Sequence, residues 1–269
     1  MNKFRIGPQT ISLLNGKSLL TILLLTSFLW SLIQISWGNI IHPGGGDALK
    51  EMLSGFFNPD LSLPILRRGI TAAWRTTAYA TAGMTLALLI GFTLGVIASG
   101  SLPIGGRYKV LIAVIARGIA GFLRGIHELV WAWLFVVAFG LSPLPAVFAL
   151  ALHYGGLLAR NFSEQFVDVP TSPLNSLTTA GATAWQTLVY GRLPMALPNL
   201  ISYSLYRWEC AVRSAAIMSF VGLGGLGFEI RIALDDLYYR QVWTFLFILM
   251  ILVLVIDTWS SLIRKRMAQ

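Results

Sequence analysis

Long runs of hydrophobic residues, separated by short polar stretches, dominate the chain and predict an all-α, polytopic membrane protein. A helix of about 20 apolar residues crosses the ~30 Å hydrocarbon core of a bilayer. Six runs reach or approach that length, and they predict spans over 18–37, 76–99, 126–140, 145–158, 197–218 and 242–263. We therefore expect about six transmembrane helices.

The apolar region from 110 to 140 is interrupted by four ionisable side chains, Arg117, Arg124, His127 and Glu128. Charged groups inside a bilayer are costly and rare. We therefore expect a helix near the inner membrane face over Tyr108–Phe122, then a turn, and then the third span over Ile126–Gly140.

A second interruption lies at Phe220–Phe228, which reads FVGLGGLGF. Glycine in a helix interior costs about 1 kcal/mol relative to alanine. Four glycines in six positions will therefore not maintain a spanning helix. We expect a broken or re-entrant segment whose irregular backbone lines a path enclosed by protein. Its candidate path residues are Gly222, Gly224 and Gly225.

Glycines in the second predicted span have a different use. Gly91 and Gly95 have the GxxxG spacing, which predicts close packing against another helix. The stretch before this span, Leu63–Arg75, contains three arginines among apolar neighbours and predicts an interfacial helix that leads into the span at Thr76. On this topology the arginines lie outside the membrane, against the positive-inside rule. Residues 229–240 predict an outer loop of mixed charge.

Basic residues flank the apolar runs at both ends and predict that both termini are cytoplasmic. Three basic residues precede the first span, and the run Arg264–Arg266 follows the last. The first apolar run resembles a secretory signal, but it is long enough to span and lacks a small-residue cleavage site, so we interpret it as a retained helix. Residues 1–17 are then a cytoplasmic N-terminus. Residues 18–70 contain the first span, an extracytoplasmic loop and the interfacial helix.

The segment Asn175–Pro194, NSLTTAGATAWQTLVYGRLP, is polar and rich in small residues between two predicted spans. Its polar groups would lack hydrogen-bond partners in hydrocarbon, so it is expected outside the bilayer on the cytoplasmic side, as a short helix or loop. An ordinary inter-helix loop and a docking surface for a soluble partner both fit this composition.

The composition supports the membrane class. The 269 residues are 56% hydrophobic and 12% charged, with a mean hydropathy of +0.72, whereas soluble domains contain about 25% charged residues. The net charge of +9 comes largely from cations that flank apolar runs, so no nucleic-acid partner is predicted. Cys210 is the single cysteine, which excludes a disulfide within the chain. The three histidines lack metal-ligand spacing, so no metal site is predicted.

The chain contains no GxxxxGK[ST], GxSxG or HExxH motif. We therefore predict no catalytic residues, no bound cofactor and no ATP hydrolysis by this chain. Buried charges and a docking segment remain, and those are the ingredients of a transporter subunit rather than of an enzyme.

Arg207, Glu209 and Arg213 lie within seven residues of one predicted span. Glu209 and Arg213 have the i, i+4 spacing that permits pairing on one helix face. Two interpretations stay open. The charges form a structural pair, or an arginine faces a translocation path for an anion.

For Glu128, next to His127, a polar helix end at the inner face beside Arg124 is favoured over a proton relay. His153, in the fourth predicted span, is expected to form an interhelical hydrogen bond rather than to bind a ligand.

From Asn175 onward the chain resembles the cytoplasmic signature of bacterial ABC importer permeases, E-A-A-x-x-x-G-x9-I-x-L-P. Gly181 takes the glycine position, and Leu193 and Pro194 take the final Leu-Pro with matching spacing. The docking residues that the resemblance implies are Asn175, Ser176, Gly181, Ala182, Leu193 and Pro194. In this interpretation Gly181 lets the docking helix and its neighbour approach closely.

Two further stretches, Leu123–Phe135 and Leu205–Phe228, resemble the phosphonate importer permeases, whose relatives include phosphite carriers. The likeness covers about residues 71–269, which the resemblance implies are the permease core domain. It implies a type I importer fold in the bacterial cytoplasmic membrane and a homodimer of this chain. Its expected partners are membrane lipid, two copies of a separate ATPase that binds ATP and Mg²⁺, and an extracytoplasmic binding protein.

The chain departs from the signature at several positions. Asn175 stands where the signature has Glu, Ser176 and Leu177 replace two Ala, Gly191 replaces Ile, and His127 replaces a usual Pro. We therefore expect the ATPase contact to depend on shape and backbone hydrogen bonds more than on a salt bridge.

The resemblance implies a permease subunit that moves phosphonate- or phosphite-type oxyanions inward, and two rival functions remain. A permease for another small solute, such as an amino acid or phosphate, would share the signature at Gly181 and Pro194. A stand-alone channel or proton-coupled carrier would need no docking segment and would more often carry acidic groups at mid-membrane.

Overall fold

The computed structural model describes residues 16–34, 45–102 and 107–267, and these contain helices and no strand. The predicted all-α architecture is therefore confirmed for this part of the chain. The α-helices are α1 (Gly16–Gln34), α2 (Gly45–Phe57), α3 (Leu63–Ala98), α4 (Arg107–Gly125), α5 (Glu128–Phe139), α6 (Pro143–Val167), α7 (Thr171–Thr179), α8 (Ala184–Gln186), α9 (Leu193–Met218), α10 (Leu226–Asp235) and α11 (Tyr239–Met267). A π-helix, Thr187–Arg192, precedes α9, and a 3-10 turn, Ser219–Val221, follows it.

The chain divides into two compact units between Glu51 and Met52. In the first unit, α1 exposes nearly all of its large apolar side chains, as expected of a helix surrounded by lipid. The predicted end of this span at Trp37 and most of the predicted N-terminal segment 1–17 lie outside the described residues.

In the second unit, α3 and α6 pack as parallel neighbours through glycines. A Cβ atom on Gly83, Gly91 or Gly95 would lie 2.5–2.8 Å from the Cβ atom of Leu150, Leu158 or Phe162, respectively. Only glycine permits the two backbones to approach so closely, which confirms the close packing predicted from Gly91 and Gly95. Because the contacts advance together along both helices, Ala98 and Val167 lie at the same end of the bundle.

The segment between two parallel helices must return across the bundle, and it does so as a broken span. Helices α4 and α5 are bent by 86° relative to one another at the break between Gly125 and Glu128. The predicted turn near Ile126 is therefore confirmed. Arg117 donates from Nε to the carbonyl oxygen of Ala98, 3.0 Å away, and so links α4 to the last turn of α3.

The glycine-rich segment breaks the chain as predicted, with a bend of 41° between the helical run that ends at Val221 and α10. Gly222, Gly224 and Gly225 all have positive φ, a conformation that other residues adopt only at a cost. Thr76 of α3 accepts a hydrogen bond of 2.9 Å from the backbone N–H of Leu226, which satisfies a donor at the start of α10.

Three predicted boundaries were wrong. Leu63–Arg75 is not a separate interfacial helix but the first third of α3, which is continuous over 36 residues. Most of the predicted outer loop 229–240 belongs to helices α10 and α11, and α6 continues to Val167 instead of ending at Leu158. In each case the predicted helix boundary was placed at a polar or charged side chain. Helices continue through such residues where the side chains reach hydrogen-bond partners or water.

Among the described residues, α3 and α11 each have the length and composition of a membrane span. The bent pair α4–α5 and the bent run from Ala184 to Asp235 meet the same test if each is taken as one span, and Ser18–Gln34 is a shorter apolar helix. The polytopic architecture is thus supported, while the count of six spans stays a prediction.

Candidate functional site

The predicted docking segment lies at the Ala98 end of the bundle and consists of two helical pieces rather than one element. Helix α7 ends at Thr179, and Gly181 then adopts φ +87°. Thr183 starts the second piece through a capping box. Its hydroxyl accepts from the backbone N–H of Gln186, and the Gln186 side chain accepts from the N–H of Thr183. The chain thus turns sharply at Gly181 and restarts at once.

The second piece is the beginning of the helix that contains α9. The π-helix Thr187–Arg192 runs into α9, and the N–H of Leu193 donates to the carbonyl oxygen of Leu188 five residues earlier. Pro194 has no N–H and its ring would clash with the carbonyl of Tyr190 in a regular α-helix. The wider π-turn accommodates the proline without ending the helix. Pro194 therefore lies within the helical run and does not end it.

The two pieces pack on one another at Gly191. A Cβ atom on Gly191 would lie 2.8 Å from the terminal methyl carbons of both Leu174 and Leu177. Arg192, the next residue, donates from Nη1 to the hydroxyl of Ser101 at 2.8 Å, just after the end of α3. The segment is thus anchored to α9, and through Ser101 to α3.

The predicted docking residues differ in exposure. Asn175, Ser176, Gly181 and Pro194 are exposed, while Ala182 and Leu193 are half-buried. No atom lies within 4 Å of a Cβ placed on Gly181, so the expectation that this glycine permits close helix packing was wrong. Gly181 is required by its positive φ, and Gly191 is the position of close approach. The sequence contained one signal for this close approach, because Gly191 stands where the signature has Ile.

The charges on α9 face different partners. Glu209, which is 4% exposed, forms an ion pair with Arg264 of α11. Arg213 is exposed and donates to the sulfur of Cys210 at 3.5 Å. The prediction that Glu209 pairs with Arg213 is therefore wrong. Glu209 does form a structural ion pair, but its partner is Arg264 of the neighbouring helix.

Arg207 is held by aromatic rings. Its Nε donates to the Tyr203 hydroxyl at 2.8 Å, and its guanidinium carbon lies 4.9 Å from the Tyr203 ring centre and 5.4 Å from that of Tyr206. Such cation–π contacts stabilise a guanidinium that is partly removed from water. The six predicted path residues therefore do not form one cluster. The glycines lie at the turn before α10, whereas the charges are distributed along α9.

A polar cluster forms where the broken span meets α6 and α9. Glu128, at the first turn of α5, accepts a hydrogen bond of 2.7 Å from Ser214 and lies 3.3 Å from Nε2 of His153. The other ring nitrogen of His153 lies 2.9 Å from the carbonyl oxygen of Ile126. His153 thus forms the predicted interhelical hydrogen bond. Helix α5 begins at Glu128, so the predicted helix end is confirmed, but its carboxylate is buried against Ser214 and His153 instead of forming an exposed polar end.

The described residues form a helical membrane bundle with a broken span, a glycine break and an anchored polar segment, which is the architecture of a transport permease. The chain belongs to the family described as binding-protein-dependent transport system inner membrane component, whose model matches residues 91–269. It is accordingly a transport permease and not an enzyme, and ATP hydrolysis belongs to a separate subunit.

Sequence similarity to known permeases extends over most of the chain. The phosphite transport system permease protein PtxC of Stutzerimonas stutzeri is 32% identical over 221 residues, which is 82% of this chain and 75% of that protein. The putative phosphite transport system permease protein HtxC of the same organism is 31% identical over 90% of this chain and 83% of its own length. The phosphate-import permease protein PhnE of Mycolicibacterium smegmatis is 28% identical over 82% of this chain and 40% of its own length.

Solved structures share the fold. A structure of the MetNI methionine ABC transporter in an inward-facing conformation matches with a TM-score of 0.67 at 22% identity. The match covers 78% of this chain and all of the matched chain. An amino acid ABC transporter with histidines matches with a TM-score of 0.63 at 19% identity, over 76% and 94%.

Proposed function

We propose that this chain is the permease that moves phosphite- or phosphonate-type oxyanions inward across the cytoplasmic membrane. The observation that carries the proposal is the similarity to PtxC and HtxC, which extends over more than four fifths of the chain. The driving force comes from an ATPase dimer that docks on this subunit. The oxyanion arrives on an extracytoplasmic binding protein.

The proposed assembly contains two copies of this chain, as the resemblance to type I importer permeases implies. Residues 71–269 form its core, and both termini are cytoplasmic. On this orientation the Ala98 end of the bundle faces the cytoplasm, where α7 and the turn at Gly181 are exposed to an ATPase. Asn175, Ser176 and Ala182 belong to the same surface, which has no acidic side chain between Thr171 and Arg192. A contact through shape and backbone groups is consistent with that composition.

The anchoring of this surface supports a coupling role. Because Arg192 bonds to Ser101 beyond α3 and the π-helix continues into α9, a displacement of the docking segment is transmitted to two spans at once. Rigid-body motion of packed helices is a common form of switching. Leu193 and Pro194 are the first two residues of α9, which carries this motion.

For the path itself, Arg207 and Arg213 remain the proposed anion contacts on α9, together with the glycine break at 222–225. Glu209 is proposed as a structural partner of Arg264 rather than a contact of the substrate, because it is buried in that pair.

Phosphate import is a second candidate, favoured by the similarity to the permease PhnE. The deciding experiment purifies the complex with the ATPase and the binding protein encoded beside it. Calorimetry of the binding protein with phosphite, methylphosphonate and phosphate identifies the substrate, and uptake into proteoliposomes tests it. Tight binding of an amino acid, or failure of an ATPase to co-purify, would overturn the proposal.

A further inference from the structure

The Leu63 end of α3 extends beyond the membrane. A 36-residue helix is about 54 Å long, and the hydrocarbon core is ~30 Å thick. The uncharged stretch Thr76–Ala98 is long enough to fill that core. The preceding turns, which carry Arg67, Arg68 and Arg75, therefore lie at or above the membrane surface, and on the proposed orientation they are extracytoplasmic.

The three arginines are not equivalent. Nη2 of Arg68 lies 2.5 Å from a carboxylate oxygen of Glu229 on α10, and the Glu229 side chain is only 17% exposed. The guanidinium groups of Arg67 and Arg75 have no hydrogen-bond or ion-pair partner within the ranges that the structure describes. Arg68 thus has a structural contact with α10, while two guanidinium groups are available.

Arg67 and Arg75 lie on one face of α3. They are eight residues apart with Thr71 midway, and residues at i, i+4 and i+8 follow one face of a helix. Both line a cavity of about 560 Å³ together with Thr71 and Glu229. The Thr71 hydroxyl donates to the carbonyl oxygen of Arg67, so the guanidinium groups are the donors that remain for a ligand.

The same face leads to the glycine break. Tyr79 is the next residue of the series, and a Cβ atom on Gly224 would lie 3.6 Å from its hydroxyl oxygen and 4.0 Å from Nη1 of Arg75. Arg75 therefore links the cavity to the glycine break, because it lines the cavity and also lies close to Gly224.

We propose that Arg67 and Arg75 form an outer binding site for a tetrahedral oxyanion, which passes from Arg67 to Arg75 and then to the glycine break. The inference rests on the proposed function, and it names the residues that receive the substrate from the binding protein. Guanidinium groups match phosphorus oxyanions with paired, charge-assisted hydrogen bonds. Because both arginines are exposed, water and salt weaken the contact, as release into the path requires.

The site also gives a reason for arginines outside the membrane. The cavity contains three arginines and one glutamate, and the pairing of Arg68 with Glu229 leaves two positive charges uncompensated. A positively charged cavity raises the local concentration of an anion.

The test uses the complete complex in proteoliposomes with saturating binding protein and radiolabelled phosphite, methylphosphonate or phosphate. Arg67→Gln, Arg75→Gln and the double variant are compared with Arg67→Lys/Arg75→Lys. Lys50→Gln serves as the control, because Lys50 is an exposed cation of α2 that is paired with Asp47 and does not line the cavity. The rate of uptake and the ATPase activity stimulated by the binding protein are measured for each variant.

The double Gln variant is expected to lose about 10- to 100-fold in uptake, the effect of removing hydrogen bonds to a charged group. Stimulated ATPase activity is retained, the Lys pair restores part of the uptake, and the control is unaffected. Unchanged uptake in the double variant would overturn the inference. A higher concentration of binding protein for half-maximal ATPase stimulation would also overturn it, since the arginines would then contact that protein. If the wild-type complex takes up none of these anions, the proposed function fails instead.

Discussion

Gly191 of the π-helix lies against Leu174 of α7, so closely that a Cβ atom on the glycine would be 2.8 Å from the leucine Cδ2 atom. This contact joins the two halves of the docking segment. Since Leu177 is equally close to the same position, a larger residue at 191 would displace both leucines and with them α7.

We therefore expect Gly191→Val to uncouple the transporter, so that uptake falls several-fold while the ATPase continues to hydrolyse ATP. Leu177→Ala in the same chain creates room and is expected to restore part of the uptake. Gly118→Val is the control, because no atom lies within 4 Å of a Cβ at that helical glycine. Equal uptake by Gly191→Val and wild type would show that the contact does not transmit the motion.

Gly181 permits a different prediction because its neighbourhood is open and its φ is +87°. A left-handed conformation costs an ordinary residue about 1–2 kcal/mol, and asparagine tolerates it better. Gly181→Asn is therefore expected to keep most of the uptake, whereas Gly181→Val loses it although both side chains fit. If uptake instead falls with side-chain volume alone, the turn is not the reason for the glycine.

The ion pair of Glu209 with Arg264 predicts non-additive stability. Replacing one partner by Met leaves a charge without its partner and is expected to cost about 3 kcal/mol, at the low end for buried pairs because the Arg264 side chain is 24% exposed. The double Met variant should be more stable than either single variant and should still transport. Thermal unfolding in detergent gives the comparison. A stable double variant without uptake would instead assign Glu209 to the path.

Substitutions at Glu128 distinguish a structural role of this side chain from a role in proton transfer. Glu128→Gln retains an acceptor oxygen for Ser214, so near-normal uptake and stability are expected. Glu128→Ala removes the carboxylate that accepts from Ser214, leaving Ser214 only the Tyr154 hydroxyl, and also removes the neighbour of His153, at a cost of about 1–3 kcal/mol. Full assembly of the Gln variant with abolished uptake would favour a relay.

Asp60 predicts an acid-dependent stability at the start of α3. Its carboxylate accepts a hydrogen bond of 3.0 Å from the backbone N–H of Ser62, and this bond holds the pKa of Asp60 below its ordinary value. A lowered folded-state pKa stabilises the protein above the unfolded pKa, and that contribution is lost as the pH falls through the lowered value. Asp60→Asn should therefore flatten the pH dependence of unfolding below about pH 4. Identical profiles for the two proteins would contradict this.

The sequence predicted the broken elements well because their causes are local. Four glycines within 222–227 prevent a regular helix wherever they occur, and the charges between Arg117 and Glu128 require a break in an apolar environment. The spacing of Gly91 and Gly95 likewise predicted a close contact, since residues four apart share a helix face.

Partners across helices could not be predicted in the same way. The i, i+4 rule paired Glu209 with Arg213, but Arg264 is 55 residues away and reaches Glu209 only because α9 and α11 pack together. Likewise Glu128 and Ser214 meet across 86 residues. Local spacing contains no information about such contacts.

By itself, therefore, the sequence determined the membrane class, the two breaks and the polar segment, because hydrophobicity and backbone freedom belong to single residues and short stretches. The tertiary structure decided which glycine serves packing and which serves a turn, since a Cβ at 191 meets Leu174 while one at 181 meets nothing. It also decided that Arg67 and Arg75 lie on one face of a protruding helix, because only the packed α3 and α10 leave Arg68 paired and the other two available.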